Sequence, residues 1–598
     1  MIRALLRFAH TRRFAFRCIA IAMVLAMVAT ACLGQLAYIQ LLNGKTTAQA
    51  ATASRTLPVT IRASRGKILD TNGTVLAQSV ERYTIVADPE AIATFVPTNC
   101  TARTKDNCQE IDGKPVGATG AAAVARMLAP VLGMNAMELG AKLSVGGRYA
   151  LLKKDVTPTV KRQIDKLNLG GYIYGELQSE RLYSDGTMLG ALLGGVNAKG
   201  QGVAGVEQME NKTLTGTDGY KVYQQGNGGE EIPGTVTKSK DAVNGSDVTL
   251  TIDSDVDWYV KKVLTEGKQT YDADWAIAAV QDLRDNQIIA LDDTDQIQAG
   301  SDQAKMNVAR SVRETFEPGS IGKVFSMAGL MQTGLHQMSD KFTVPDHLLK
   351  NGQSYKDATT HGSEHWTMAG ILEQSSNVGM IMASDKYSNA DRYAFLSKFG
   401  MGQSSGLGIP GESVGLLTNP ESWDGRTENT VLFGQGYATN VLQLTNAIAT
   451  VANKGVKRQQ SLIKSVTDAD GHVSEPAKAA PTRVVDEQVA AQLMNAMESS
   501  AEHYSAFAGV DGYRIAAKSG TAEVPGSNGK LTSIISDWSA IIPADNPRFV
   551  VTVVLKNPQG SYGGLTAGPV FKKIGEFLMQ KYEVPTSTPR SDAIPVQW

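Results

Sequence analysis

The stretch FEPGSIGKVFSMAGLM, from Phe316 to Met331, decides how this chain is read. Pro318-Gly319 interrupts the backbone and an apolar run follows, so the segment predicts a helix that starts near Ser320. Lys323 then lies one turn away on the same face, within reach of the Ser320 hydroxyl. The dipole and free N–H groups at a helix N-terminus favour negative charge on that oxygen and on a neighbouring oxyanion. A serine is a poor nucleophile without a base, and a lysine can be that base if burial or a second cation lowers its pKa. Ser-x-x-Lys alone is a weak signal, because it also occurs at Ser64/Lys67, Ser461/Lys464 and Ser527/Lys530. Only the Ser320/Lys323 pair has a helix start and an apolar run around it.

Working outward, the second cation has a candidate in Lys518-Ser519-Gly520-Thr521, the single Lys-[Ser/Thr]-Gly of the chain. It ends a predicted strand, YRIAAKSGTAEV. Gly520 lets a substrate backbone lie close, and the hydroxyls of Ser519 and Thr521 could hold a carboxylate. Ser375-Ser376-Asn377 is the single Ser-x-Asn. Ser375 could relay a proton, and Asn377 could bind a substrate amide or orient Lys323. Taken alone, Ser375 and Asn377 read as helix-capping residues. Pro318 stands where a nucleophile elbow of the G-x-S-x-G type has glycine. His361 and His365 are four apart, but Gly362-Ser363-Glu364 separates them and no third ligand is suggested, so they read as loop histidines and no metal is expected.

The three motifs, in this order, resemble the SxxK, SxN and K[TS]G signatures of the penicillin-recognising serine acyltransferases. Arg65-Gly66-Lys67-Ile68-Leu69-Asp70, with Asn72-Gly73 and Leu76-Ala77, resembles the RGxIxDRNGxxLA segment of class B penicillin-binding proteins, with Thr71 for the usual arginine. Arg181-Leu182-Tyr183-Ser184 with Gly186, then Gly205-Val206-Glu207 and Leu214-x-Gly216, is similar to that family's R-x-YP…G-x-E…L-x-G region, with Ser184 for the proline. Phe316-Glu317-Pro318-Gly319-Ser320, Gly434-Gln435-Gly436 and Gln443-Leu444 match further family segments. The resemblance covers about residues 60–580.

It implies a peptidoglycan D,D-transpeptidase, leaning to the septal, cell-division type. Ser320 attacks the penultimate D-Ala carbonyl of a stem peptide with Lys323 as base, and the terminal D-Ala leaves. Ser375, Asn377 and Lys518 complete the catalytic set. Ser519, Gly520 and Thr521 bind substrate, and the backbone N–H groups of Ser320 and Thr521 form the oxyanion hole. β-Lactams acylate the same serine as inhibitors. No metal or organic cofactor is implied. Elongation-type transpeptidase, D,D-carboxypeptidase, β-lactam sensor and non-enzymatic scaffold remain as alternatives. The N-terminal half lacks an E-D-x-x-F-type polymerase signature. The implied partners are therefore a membrane-embedded glycosyltransferase and division proteins.

The pattern around the motifs suggests an α+β class. VTLTID reads as a strand and SDVDWYVKKVLTEGKQ as a helix. WAIAAVQDLRDNQIIALDD reads as two strands about a turn. A mainly helical stretch from Lys323 to Lys457 precedes three late strands and the helix GPVFKKIGEFLMQKY. Strands at both ends with helices between suggest an antiparallel sheet completed by the late strands. Asn72-Gly73 signals a hairpin within 61–89, and residues 118–170 read as helices. The expected organisation is a cytoplasmic basic segment at 1–17, a transmembrane helix at 18–39 and a linker at 40–60. A pedestal of the dimerisation type follows at 61–240, a transpeptidase domain at 248–582 and a flexible tail at 583–598.

The anchor rests on CIAIAMVLAMVATACLGQLAYI, from Cys18 to Ile39, which carries no charge. At about 1.5 Å per residue it spans about 33 Å, against a bilayer core of about 30 Å. Arg3, Arg7, Arg12, Arg13 and Arg17 precede it, which places the N-terminus in the cytoplasm and the rest outside the bacterial membrane. A cleaved signal peptide is the competing reading, but its apolar core is usually shorter. Ten of the 58 basic residues precede Asp70, the first acidic one, leaving 48 against all 59 acidic residues, a body of net charge −11. An overall charge of −1 suggests no nucleic acid partner. Hydrophobic residues at 42% and four cysteines exclude bulk disorder and a disulfide scaffold. Cys100 and Cys108 lie in the polar loop TNCTARTKDNCQEIDG, where an oxidising compartment favours a disulfide over two free surface thiols.

Overall fold

The computed structural model describes residues 2–42, 45–46, 48–49, 52, 56–184, 186–224, 231–525, 531–560 and 562–598. The Ser527/Lys530 pair and parts of the expected linker lie outside them. Contacts group the chain into two compact units: Met1–Ala63, Glu81–Gln178 and Thr217–Val243 form one, and Ser64–Val80, Ser179–Gly216 and Asn244–Trp598 the other.

In the first unit, an α-helix runs over Ile2–Ala37. Within it and the turn that follows, Phe14–Gln40 is long and apolar enough to cross a membrane. The end of the expected linker is a strand: Thr56–Ile61 pairs antiparallel with Gly219–Gln224, which pairs with Lys238–Lys240. Val59 and Thr60 alternate with the β propensity that a pleated strand rewards. The helices Gly120–Leu132 and Ala136–Leu143 share a core with Tyr83–Ala87 and Ala150–Val156, which pair antiparallel. Cys100 and Cys108 are joined in a disulfide, and Cys18 and Cys32 are free.

The second unit is built on a five-stranded antiparallel sheet. Its strands are β1 (Trp275–Asp282), β2 (Gln287–Asp293), β3 (Ala516–Pro525), β4 (Leu531–Ile542) and β5 (Phe549–Lys556), in the order β2-β1-β5-β4-β3. Every residue of β1 is buried, so alternate side chains feed two cores. Ala276, Ala278 and Val280 pack with helices α1 (Ser254–Thr270) and α7 (Gly563–Lys581). Trp275, Ile277 and Ala279 face the other core, with α2 (Gly322–Gln332), α3 (Met368–Glu373), α4 (Asn377–Ala383), α5 (Val441–Ala452) and α6 (Glu487–His503). A sheet buried on both faces explains why β1 and β5 are apolar runs and not alternating ones. The stretch between Lys323 and Lys457 also holds short strands that the helical reading did not foresee, among them Gln353–Lys356 and Glu364–Thr367.

The same unit takes in Arg65–Leu69 and the 179–216 segment. Ile68–Leu69 pairs parallel with Asp247–Leu250. Glu207 is fully buried and receives Arg65 Nε and Arg181 Nε, each at 2.7 Å, and the Tyr183 hydroxyl at 3.3 Å. Arg181 also donates to the Gly66 carbonyl at 2.7 Å. This ion triad is the physical content of the Arg65, Arg181, Tyr183 and Glu207 motif.

The flexible tail expected at 583–598 needs correction. These residues form no helix or strand, yet they are fastened along the unit. Arg590 donates to the Asn495 carbonyl at 2.6 Å and to Glu502 at 2.9 Å. The Ile594 amide donates to Asn495 Oδ1 at 2.9 Å. Thr367 donates from its amide to the Val596 carbonyl at 3.1 Å and from its hydroxyl to the Pro595 carbonyl at 2.6 Å. A polar, proline-containing segment gives no periodic signal, and side-chain anchors of this kind cannot be read from it.

Candidate active site

Ser320 sits in a single 3-10 turn, Gly319–Ile321, that leads into α2. Gly319 has φ +51°, and a Cβ there would fall 2.7 Å from the Thr521 carbonyl oxygen. The missing side chain lets the Ser320 turn lie directly on β3. Behind the turn, the Gly319 amide donates to the Gly434 carbonyl at 3.1 Å, and Glu317 Oε1 accepts from the Gly436 amide at 2.8 Å. The Phe316–Ser320 and Gly434–Gly436 segments therefore brace each other.

Lys323 is fully buried, and its Nζ lies 2.7 Å from Ser320 Oγ. It also donates to the Ser375 carbonyl at 2.9 Å and to Asn377 Oδ1 at 2.8 Å, with Ser375 Oγ at 3.4 Å. Burial, and then the charge of Lys518, hold its ammonium well below the usual lysine range, against a weaker opposite pull from Asp357. Lys518 is also fully buried, and burial lowers it to about 7. Its Nζ donates to Ser375 Oγ at 3.0 Å and to the Ser519 carbonyl at 3.0 Å. Ser375 Oγ thus stands between the two lysines, a hydroxyl that accepts from one side and can pass a proton to the other.

The structure brings Ser320, Lys323, Ser375, Asn377 and Lys518 into one hydrogen-bonded chain. Ser519, Gly520 and Thr521 border it on β3. Thr521 Oγ1 accepts from the Gly563 amide at 3.2 Å and donates to the Gly520 carbonyl at 2.9 Å. Of the two roles considered for Asn377, the geometry has its carbonyl oxygen on Lys323. Of the other Ser-x-x-Lys pairs among the described residues, Ser461/Lys464 serves elsewhere, with Lys464 donating to Thr71 at 3.0 Å.

Residues outside the sequence reading hold the Ser375 turn. Ser375 has φ +58°, the left-handed region, which costs a non-glycine residue about 1 kcal/mol or more. The turn is over-determined by Asp357. Its Oδ2 accepts from Ser376 Oγ at 2.5 Å and its Oδ1 from the Val378 amide at 3.0 Å. Ser376 in turn caps α4 by accepting from the Gly379 amide at 2.8 Å. His361 Nε2 contacts Asp357 Oδ2 at 3.0 Å, which gives that loop histidine a partner in the second layer of the site. No local spacing ties Asp357 to Ser376, so nothing in the sequence singled it out.

Comparison with known proteins agrees with this arrangement. Residues 276–576 match the penicillin binding protein transpeptidase domain, and residues 60–250 the penicillin-binding protein dimerisation domain. The chain is 30% identical over 554 residues to the penicillin-binding protein PbpB of Mycobacterium tuberculosis, covering 88% of this chain and 79% of that one. It is 28% identical over 578 residues to the peptidoglycan D,D-transpeptidase FtsI of Escherichia coli, covering 94% and 90%. Among solved structures, a peptidoglycan synthetase from Bifidobacterium adolescentis matches with a TM-score of 0.75 and 68% identity, over 91% of this chain and all of that one. A buried Ser-Lys pair at a helix start, a second lysine on the sheet edge and a matched domain on either side of residue 260 lead to one statement: the chain belongs to the class B penicillin-binding proteins, with a dimerisation domain followed by a transpeptidase domain.

Proposed function

We propose that this protein is a membrane-anchored D,D-transpeptidase that cross-links peptidoglycan stem peptides in septal wall synthesis, with Ser320 as the acylated nucleophile. The observation that carries the reading is the buried Lys323 Nζ, 2.7 Å from Ser320 Oγ, with its ammonium form disfavoured. In the neutral form Lys323 accepts the hydroxyl proton as Ser320 Oγ bonds to the penultimate D-Ala carbonyl carbon. The resulting oxyanion lies between the N–H groups of Ser320 and Thr521, which the Gly319–Thr521 contact supports. The C–N bond to the terminal D-Ala then breaks. Its amine takes a proton from Ser375 Oγ, which is resupplied by the Lys323 ammonium. Ser519, Thr521 and the charge of Lys518 hold the terminal carboxylate. An amine of a second strand attacks the acyl carbonyl and restores Ser320. Relatives named D,D-transpeptidase support this chemistry, and β-lactams, which carry an acylating carbonyl beside a carboxylate, fit the same groups.

Around that core the finer reading follows. The arginines in the first turns of the helix, ahead of its apolar stretch, support a cytoplasmic N-terminus and an exterior catalytic domain, and the Cys100–Cys108 bridge suits an oxidising compartment. Residues 61–240 are the pedestal and 248–582 the catalytic domain. The glycan polymerase is a separate membrane-embedded glycosyltransferase, met together with division proteins through the anchor and pedestal. The deciding experiment is labelling of the full-length protein by a fluorescent penicillin: wild type forms a covalent adduct and Ser320→Ala forms none. Labelling that survives Ser320→Ala overturns the assignment. Product analysis with an added amine acceptor separates transfer from hydrolysis.

A further inference from the structure

Strand β4 carries a buried acid that the chemistry above does not use. Asp537 is in register with Gly520 and is fully buried. Neither of its carboxyl oxygens has a hydrogen-bond partner among the described residues, although its own backbone amide lies against it. A Cβ on Gly520 would fall 1.9 Å from Asp537 Oδ1 and 2.5 Å from the Pro318 carbonyl oxygen. Both oxygens therefore converge on the space that the absent side chain leaves. They are acceptors, and two acceptors meeting in a buried place repel unless a proton lies between them.

The charged and titratable groups that face this carboxyl are Lys518 on β3 and Tyr437 from the segment before α5, with Glu317 beyond Tyr437. Lys518 directs its donors elsewhere, to Ser375 Oγ at 3.0 Å, the Ser519 carbonyl at 3.0 Å and Ser519 Oγ at 3.4 Å. An ionised Asp537 would thus be a buried charge without a bonded partner. Burial pushes its carboxyl well above the usual carboxylate range, in agreement with that geometry.

We propose that Asp537 is a positioning residue that keeps its proton in the resting enzyme and donates it to the Pro318 carbonyl, clamping the turn that carries Ser320 to the strand that carries Lys518-Ser519-Gly520-Thr521. The inference rests on the reading of Ser320 as nucleophile. The clamp lies where the two oxyanion-hole amides come from different elements, Ser320 from the turn and Thr521 from the strand. Misplacement by about 1 Å at such a site slows reaction by up to about 100-fold.

The test uses the full-length protein in detergent micelles. Acylation by a fluorescent penicillin falls about tenfold or more in Asp537→Ala. Asp537→Asn, whose amide donates to the same carbonyl, recovers the rate to within about threefold and keeps the wild-type pH profile between about pH 6 and about pH 9. The infrared difference spectrum of wild type minus Asp537→Asn contains the carbonyl stretch of a protonated carboxyl group. Absence of that band overturns the proposal. So does an Asp537→Asn variant as slow as Asp537→Ala with a displaced pH profile, because Asp537 then acts as a counter-charge to Lys518. Should Asp537→Ala fail to fold, the band and the asparagine variant still decide. The band does not depend on Ser320, so a wild type that shows it but takes no label separates failure of the nucleophile assignment from failure of the clamp.

Discussion

Two of the ionic clusters buried in the larger unit are built in opposite ways. Around Glu207 the cations have a shared counter-charge: one carboxylate lies between the guanidinium groups of Arg65 and Arg181, which find further acceptors on the Gly66 and Glu207 carbonyls. Around Ser320 they have none: Lys323 and Lys518 share Ser375, and among the described residues no carboxylate is salt-bridged to either. A carboxylate bonded to both cations favours the ionised forms and ties segments together. Two buried lysines without one have their ammonium forms disfavoured, which suits a base. Both clusters have largely buried side chains, so burial alone does not mark the proposed catalytic one. The presence or absence of a bonded carboxylate does.

The comparison breaks most visibly at Lys323. Lys323→Met is expected to slow penicillin acylation by about 1000-fold or more, while the variant's melting temperature stays level or rises, because an apolar side chain replaces a buried amine whose charged form is disfavoured. A variant that unfolds instead would make Lys323 a structural residue like Glu207. Glu207→Ala should do the reverse. Removing the shared carboxylate strands two buried guanidinium groups and is expected to cost about 3–5 kcal/mol of unfolding free energy, read by denaturant titration. A stable Glu207→Ala protein that has lost acylation would collapse the distinction.

A smaller effect sharpens it through pH. Lys518 is lowered to about 7, so its ammonium is lost as the pH rises through that value. Acylation by a carboxylate-bearing β-lactam should then fall about tenfold from about pH 7 to about pH 8.5, as the charge that holds the carboxylate disappears. At the acid end the rate falls as Lys323 regains its proton. In Lys518→Arg, whose guanidinium remains charged, the basic limb vanishes even where the absolute rate is lower. Stopped-flow acylation across the pH range measures both limbs.

Much of the site was legible in the chain. Ser320 and Lys323 are three apart on a helix start, and a turn of helix fixes their distance by local geometry. The strand within YRIAAKSGTAEV and the two strands of WAIAAVQDLRDNQIIALDD followed from apolar patterning. The tail was misjudged, since its anchors Arg590 and Ile594 bind Asn495, almost one hundred positions away. Asp357 escaped notice for a similar reason: it holds the Ser375 turn from a loop with no motif of its own.

By itself, then, the sequence determined the chemistry on offer: a hydroxyl, two lysines, an amide and a glycine-bordered strand, behind an apolar helix. Those are properties of single residues and of neighbours within a turn, which short-range geometry sets. The tertiary structure alone decided which lysines have their ammonium forms disfavoured and which acid is bonded to cations. That depends on desolvation and on two charges, 52 and 143 positions from Ser375 in the chain, meeting there. Such long-range contacts arise only when the sheet closes and the helices pack against it.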